Sequence, residues 1–212
     1  MNEERDEMKK KVYAFDFDGT LTTKDTLLEF ICYACGKRRL WTGLLLFSPI
    51  LVLMKLQFYP NWKAKQQFFS HFFKGMKIEE FDAVCRRFAE ENAALMRPNG
   101  LAVIRKALDE GSSVIVISAS IDNWVRPFFA AFGDRVQVSC TQIDVRHDRV
   151  TGKFLTKNCY GREKVKRIER AFPRRSTYEL IAFGDSMGDK KMMEYADKSY
   201  YKPFRSVSVS YV

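Results

Sequence analysis

VYAFDFDGT, residues 12–20, begins with apolar side chains and changes abruptly to two aspartates and a glycine. A short apolar run without alternation is typical of a parallel strand covered on both faces, and the polar sequence after it indicates a turn. Two later stretches have the same form. SVIVI, residues 113–117, precedes Ser118-Ala119-Ser120, and LIAF, residues 180–183, precedes Gly184-Asp185-Ser186. These runs predict three strands of a parallel sheet.

Helical patterns lie between the predicted strands, at residues 98–110, 123–132 and 162–172. Residues 136–154 alternate in polarity and include Val150-Thr151-Gly152, which predicts a strand and a hairpin. Strands that alternate with helices are typical of an α/β fold. We therefore predict a doubly wound, mostly parallel, Rossmann-like sheet.

Residues 25–95 do not follow this alternation, because they are helical in pattern and rich in aromatic side chains. They interrupt the α/β pattern directly after the first predicted strand. We interpret them as an inserted helical cap. The predicted organisation is an α/β core of residues 1–24 and 96–212 and a cap of residues 25–95.

A small polar cluster follows each of the three predicted strands. Ligands of open parallel sheets bind outside the carboxyl ends of the strands, so we expect the three clusters to share one site. An Asp after a strand can also simply form a turn, and Ser120 is equally well explained as a loop hydroxyl. The three clusters contain Asp16 and Asp18, Ser118 and Ser120, and Asp185 and Asp189.

Four segments, in this order, resemble the motifs of haloacid dehalogenase (HAD) superfamily phosphatases. They are DFDGTLT at residues 16–22, Ser118 after its apolar strand, Lys164 in GREK, and GDSMGD at residues 184–189. Residues 151–161 further resemble subfamily IB, which includes phosphoserine phosphatases and phosphatidylglycerophosphatases of the C type. In that subfamily a helical cap follows the first motif.

The resemblance implies a phosphomonoester hydrolase with an aspartyl-phosphate intermediate. Asp16 would be the nucleophile, and Asp18 would protonate the leaving oxygen and then activate water. Ser118, Lys164 and Thr20 would bind the phosphate. A solvated basic helix face is the alternative explanation for Lys164, because other basic residues lie close to it in sequence.

The resemblance also implies Mg²⁺ as the cofactor, since Mg²⁺ prefers oxygen ligands. Asp16, Asp185 and the backbone carbonyl of Asp18 would bind it. Asp189 would orient Lys164 or a metal-bound water, and Ser186 would support the same turn.

The expected substrate is a phosphorylated small molecule or lipid. Phosphoserine phosphatases place a glutamate close to where Asp25 stands, and they typically have two glycines where this chain has Ala119-Ser120. These departures leave two substrate classes open. One is a lipid phosphate resembling phosphatidylglycerophosphate, and the other is a small anionic metabolite such as phosphoserine.

Residues 40–54, LWTGLLLFSPILVLM, contain no charged side chain but are too short and proline-interrupted to span a bilayer securely. They are either buried cap core or an apolar surface that associates peripherally with an anionic membrane. The basic residues that flank this stretch are Arg38, Arg39, Lys55, Lys63 and Lys65.

The chain carries a formal net charge of +10, which favours anionic partners. Nucleic acid is not the expected partner, because no nucleic-acid-binding motif is present. Two alternatives stay open: a phosphotransferase with the same intermediate, and a non-catalytic membrane-surface binding module. The oligomeric state is not indicated by the sequence.

Five cysteines without regular spacing and a charged N-terminal sequence predict a cytoplasmic protein. If residues 40–54 form an apolar surface, the protein would associate peripherally with the inner face of the membrane. The single C-x-x-C, Cys32 and Cys35, has no second pair at zinc-ligand spacing, so we interpret both as small apolar residues.

Overall fold

A computed structural model of the chain describes residues 10–205. The charged N-terminal sequence therefore lies largely outside the described residues. A five-stranded parallel sheet has the order β3-β2-β1-β6-β7. This confirms the predicted α/β, mostly parallel, Rossmann-like fold. The strands of the sheet are β1 (Lys10–Phe15), β2 (Ser113–Ile121), β3 (Val136–Thr141), β6 (Tyr178–Gly184) and β7 (Lys198–Tyr201).

Apolar side chains cover both faces of the sheet, as continuous apolar strands require. In β1, Tyr13 and Phe15 point to one face, whereas Val12 and Ala14 point to the other. The first face packs against α5 (Pro98–Asp109) and the aromatic side chains of the helices that follow β1. The second face packs against Ile168 of α7 (Arg162–Ala171) and Met192 of α8 (Lys190–Tyr195).

Four helices occupy most of the region predicted as a cap. Their bounds are α1 (Thr26–Cys35), α2 (Lys37–Lys55), α3 (Asn61–Phe73) and α4 (Ile78–Glu91). Phe30 is the centre of their packing: its ring lies 4.9–5.7 Å from the rings of Phe73, Phe81, Phe88 and Trp124. Aromatic packing thus joins α1, α3 and α4 to each other and to α6 (Asp122–Val125).

The remaining elements differ in part from the sequence predictions. The expected hairpin is present as β4 (Ile143–Arg146) and β5 (Arg149–Phe154), which pair antiparallel. The predicted helix over 123–132 is instead the short α6 followed by 3-10 turns over Arg126–Arg135. A Pro at residue 127 and Gly133, whose φ is 55°, explain why a long α-helix does not form there. Strand β7 was not predicted, because it is only four residues long.

Helix α2 contains the whole of the uncharged stretch at residues 40–54, and most of that stretch is not buried. Gly43 is the one buried residue of this helix, whereas Trp41, Leu45 and Leu46 are 68%, 76% and 63% exposed. The interpretation of residues 40–54 as buried cap core therefore holds only for one face, where Leu40, Leu44 and Phe47 pack half-buried against the core, and the other face is exposed. Among residues 10–205, no helix is both long and apolar enough to cross a membrane.

Candidate active site

The polar clusters converge at the carboxyl ends of β1, β2 and β6. Strand β1 lies between the other two, with residues 12–15 beside residues 113–116 and 180–183 in parallel register. In this register the three turns reach the same edge of the sheet. The backbone N–H of Asp16 also donates to the carbonyl of Phe183 at 2.9 Å, which ties the first turn to the end of β6.

A buried ion-pair network includes the first of these aspartates. Asp16 Oδ1 accepts from Lys164 Nζ at 2.5 Å, and the same ammonium donates to Asp189 Oδ1 at 2.6 Å. Thr20 Oγ1 donates to the other oxygen, Asp16 Oδ2, at 3.3 Å. Lys164 is only 2% exposed, although it lies in the first turn of α7. Its side chain therefore does not belong to a solvated basic helix face.

Burial and neighbouring charges shift the pKa of each of the three charged groups in this network. Burial raises the pKa of Asp16, and neighbouring carboxylates add to this against the effect of Lys164, so that the pKa is about 7. Burial alone would lower the pKa of Lys164, but Asp16 and Asp189 raise it above its usual value. For Asp189, Lys164 and Ser186 overcome the effect of burial and hold the pKa below its usual range. Asp189 is thus the permanent counterion of Lys164, and Asp16 is the less stabilised carboxylate.

Asp18 belongs to a separate hydroxyl network. Its Oδ1 accepts from the backbone N–H and the hydroxyl of Thr26 at 2.8 and 2.6 Å. Its Oδ2 accepts from Ser120 Oγ at 2.5 Å and from Ser118 Oγ at 3.3 Å. Ser120 is 1% exposed and therefore not an ordinary loop hydroxyl. Proton transfer to or from Asp18 requires that one of these four donors be exchanged for a substrate or water oxygen.

The turn after β6 is organised by Asp189. Its Oδ2 accepts from the backbone N–H groups of Asp185 and Ser186 at 3.1 and 2.9 Å and from Ser186 Oγ at 2.7 Å. Gly184 permits this close approach, because a Cβ on it would lie 2.5 Å from the Cβ of Asp189. Arg205 Nη2 donates to Asp185 Oδ2 at 2.8 Å. No motif in the sequence pointed to Arg205.

A pocket of about 620 Å³ opens onto these groups. Its polar end contains Asp16, Asp18, Ser118, Lys164 and Asp185. Its opposite wall is largely apolar and comes from α1, α2 and α3. The apolar lining residues are Leu27, Leu28, Leu44, Leu51, Met54, Ala64 and Phe68.

Two further charged residues of the predicted cap line the same pocket. Asp25 is the N-cap of α1, and its carboxylate accepts from the backbone N–H of Leu27 at 2.9 Å. Lys65 donates from Nζ to the carbonyl of Ala119 at 2.9 Å. The sequence interpretation placed Lys65 among the cations beside the apolar stretch. The structure corrects this, because Lys65 spans the pocket between α3 and the turn that holds Ser118.

Comparison with known proteins decides the family. Residues 13–194 match the haloacid dehalogenase-like hydrolases, a range that contains all of the converging carboxylates. The chain belongs to this family.

Other proteins are similar to this haloacid dehalogenase-like hydrolase in sequence or in fold. Protein CicA of Caulobacter vibrioides is 33% identical over 195 residues, which cover 91% of this chain and 86% of CicA. A protein of unknown function from Bordetella pertussis has a TM-score of 0.78 at 17% identity, covering 91% and 89% of the two chains. A phospho-aspartyl intermediate analogue of phosphoserine phosphatase has a TM-score of 0.58 at 20% identity, covering 90% and 85%.

The carboxylates of this hydrolase fit the Mg²⁺ that the sequence resemblance implies. Asp16, Asp185 and Asp189 each offer an oxygen within 4.8 Å of the others, a donor set of the hard oxygen type that Mg²⁺ prefers. Burial and neighbouring Asp189 raise the pKa of Asp185, although Arg205 and Lys164 act in the opposite direction. The oxygens of Asp189 are already bound by Lys164 and by the turn after β6. Asp189 accepts four hydrogen bonds, whereas Asp16 accepts two and Asp185 one from the described residues, so Asp16 and Asp185 are the side chains that would hold a cation.

Gly19 allows the turn after β1 to approach the carboxylate of Asp185 closely. Its φ is 75°, a conformation that favours glycine, and a Cβ at this position would overlap with the carboxylate of Asp185. The turn after β1 thus brings its backbone against the carboxylate that follows β6. This close approach is what a cation held jointly by the two turns requires.

Proposed function

We propose that the chain is a Mg²⁺-dependent phosphomonoester hydrolase that forms an acyl phosphate on Asp16. The observation that carries this proposal is the placement of Asp16: it is buried at a strand end, ion-paired with Lys164 and directed at a pocket. A carboxylate in such a place can contact a substrate phosphate bound in the pocket. Its raised pKa is consistent with a negative charge that Lys164 offsets only in part.

In the first step, an oxygen of Asp16 forms a bond to phosphorus, and the bond from phosphorus to the ester oxygen breaks. The departing oxygen takes a proton from Asp18. Lys164 and the hydroxyl of Ser118 interact with the phosphoryl oxygens, whose charge they stabilise. Mg²⁺, when bound, supplies positive charge that offsets the repulsion between the carboxylate and a dianionic phosphate.

In the second step, Asp18 accepts a proton from a water molecule whose oxygen attacks phosphorus. The bond between phosphorus and Asp16 breaks, so that inorganic phosphate and the free carboxylate are formed. Ser120 and Thr26, which donate to Asp18, orient its carboxylate for both transfers. The fold shared with a phospho-aspartyl intermediate analogue of phosphoserine phosphatase supports this two-step course.

The pocket supports a substrate with an apolar portion. We divide the chain into a core of residues 1–24 and 96–212, which supplies the carboxylates, and a cap of residues 25–95, which supplies the apolar wall. Leu44, Leu51 and Met54 of α2 lie on that wall. A lipid phosphate resembling phosphatidylglycerophosphate fits this apolar wall better than a small anionic metabolite such as phosphoserine does. If phosphoserine were the substrate, Lys65 would be the candidate partner of its carboxylate.

Phosphate release in the presence of Mg²⁺ tests this proposal. The substrates are an aryl phosphate, phosphoserine and micellar phosphatidylglycerophosphate. We expect Asp16→Asn to lower turnover at least about a thousandfold, because the covalent route is lost. The matched control is Asp109→Asn, which removes an exposed carboxylate on α5 and is expected to leave turnover unchanged.

Two results would count against the catalytic assignment, and a third against the substrate assignment. Equal turnover by Asp16→Asn and wild type would show that Asp16 is not the nucleophile. Phosphorylation of the wild-type protein without release of inorganic phosphate would indicate transfer to an acceptor other than water. Preference for phosphoserine over the lipid would contradict the substrate assignment while leaving the catalytic assignment intact.

A further inference from the structure

An apolar surface runs along the outside of α2 and through the turn that follows it. We define the α2 ridge by its members, which are Trp41, Leu45, Leu46, Val52, Leu53, Leu56, Phe58 and Trp62. All eight are between 44% and 79% exposed. Contiguous apolar side chains of this kind are unusual on a monomeric surface and indicate a partner.

The ridge follows the helical repeat, although the exposed Ser48 and Pro49 stand between Leu45 and Val52. Residues 41, 45, 52 and 56 recur at helical spacing, so they share one face of α2. The opposite face packs on the protein, where the buried Gly43 lies against Phe72 of α3. Helix α2 is thus apolar on both faces. Within the described part of the chain, the face that contains Gly43 is packed and the face that carries the ridge is exposed.

The charges around the ridge are of one sign. Between Glu29 and Glu79 every charged side chain is Lys or Arg. Lys37, Arg38 and Arg39 occupy the first turn of α2, where the helix dipole disfavours cations. Basic groups at that end interact unfavourably with their own helix, so their placement favours an anionic partner. Lys55 and Lys63 provide cations at the other end.

Exposed tryptophans lie near both ends of the ridge. Trp41 follows the basic first turn, and Trp62 precedes Lys63, whose Nζ lies 5.6 Å from the indole centroid. Tryptophan beside basic residues is typical of segments at a membrane–water interface. A helix of this kind lies in the interface with its apolar face among the lipid acyl chains and its cations at the headgroups.

We propose that the α2 ridge docks the protein onto an anionic lipid surface. A second copy of the chain fits the ridge less well. In a two-fold dimer the same patch meets itself, so the basic flanks of two copies would face like charges. An anionic bilayer offers an apolar interior and opposite charge together, which is the combination that the ridge and its flanks match.

The docking surface and the candidate active site share α2. Leu44 and Leu51 line the pocket, whereas Leu45 and Val52, the next residues in each case, belong to the ridge. The pocket wall and the ridge are therefore adjacent faces of one helix. Docking would bring the pocket beside lipid headgroups, but it is a binding property that does not depend on the proposed phosphatase activity.

Vesicle flotation tests the proposal with the whole chain. The probes are vesicles of phosphatidylcholine alone and of phosphatidylcholine with phosphatidylglycerol. We expect binding to the anionic vesicles that weakens as salt rises, and little binding to the neutral ones. Leu45→Ser with Val52→Ser should abolish binding, whereas Leu155→Ser, a change at a 65% exposed leucine outside the ridge, should not.

The charge contribution has its own matched pair of variants. Arg38→Gln with Arg39→Gln should weaken binding about 30-fold, since each basic residue near an anionic surface contributes a factor of about five. Arg105→Gln with Arg135→Gln removes the same charge from exposed positions elsewhere and should have a much smaller effect. Circular dichroism and aryl phosphate turnover check that each variant is folded.

Three outcomes would overturn the docking proposal. They are no binding to anionic vesicles, equal binding by the ridge variant and Leu155→Ser, and a dimer in solution that the ridge variant dissociates. The last would show that a second copy covers the ridge. Loss of turnover on aryl phosphate with vesicle binding intact would refute only the phosphatase proposal, so the two failures are distinguishable.

Discussion

Lys164 is the residue on which the charge balance of the site depends. Its ammonium lies between the carboxylates of Asp16 and Asp189, and all three side chains are buried. Such a group is stable only when its partners are present, because a lone charge in the interior loses its hydration without compensation. The same arrangement leaves Asp16 with a pKa of about 7.

We expect Lys164→Met to destabilise the fold at pH 8 by on the order of 3 kcal/mol, since it leaves two buried carboxylates without their cation. The loss should be smaller at pH 5, because Asp16 can then take up a proton. Lys166→Met, an exposed change two residues away, should alter the free energy of unfolding by no more than about 0.5 kcal/mol. Urea denaturation measures both variants, and equal effects would show that Lys164 is a surface residue.

At the scale of single elements, a residue without a side chain sets how closely α2 approaches α3, while Leu44 and Phe47 supply apolar contacts beside it. Gly43 is buried against the Phe72 ring of α3, and a Cβ at this position would overlap with that ring. Glycine inside a helix costs about 1 kcal/mol relative to alanine, so the close approach of α2 and α3 has to compensate for it. The position of the pocket wall depends on this contact, because Leu44 is the next residue.

Gly43→Leu should therefore lower the free energy of unfolding by about 1–3 kcal/mol, because the cost of overpacking exceeds the gain in helix propensity. Thr42→Leu, on the exposed side of the same helix, should change it by no more than about 0.5 kcal/mol. The midpoint of urea unfolding reports both. If Gly43→Leu proved as stable as Thr42→Leu, the packing of α2 on α3 would be looser than the structure shows.

At the scale of the whole molecule, the carboxylate cluster couples metal binding to stability. Asp16 and Asp185 follow different strands, so an ion bound to both joins β1 to β6. Any ligand that binds only the folded state stabilises it by mass action, by about 2.7 kcal/mol at a hundredfold excess over Kd.

We expect Mg²⁺ at such an excess to raise Tm by about 5 °C or more for a chain of this length. The shift should be larger at pH 8 than at pH 6: with a pKa of about 7, Asp16 carries a proton at the lower pH that Mg²⁺ has to displace. Differential scanning fluorimetry measures Tm. Asp185→Asn should lose the shift and Asp109→Asn should keep it. A shift retained by Asp185→Asn would place the cation elsewhere.

The sequence predicted the parts of the molecule that follow from local pattern. Continuous apolar runs at 12–15, 113–117 and 180–183 can be satisfied only by strands covered on both faces, and the structure confirms the α/β fold. Because such strands are parallel, their polar ends had to meet. The convergence of Asp16, Asp18, Ser118, Asp185 and Asp189 was therefore predictable without coordinates.

Burial and partners across the chain were decided only by the tertiary structure. Nothing local distinguishes Ser120 from a loop hydroxyl, and Arg205 lies outside every motif. Similarly, the composition of an apolar helix does not indicate whether neighbouring elements cover one of its faces or both. The exposure of the α2 ridge, and the placement of Lys65 in the pocket, depend on how α1 and α3 pack around α2, because burial is a property of the assembled neighbours and not of the residue itself.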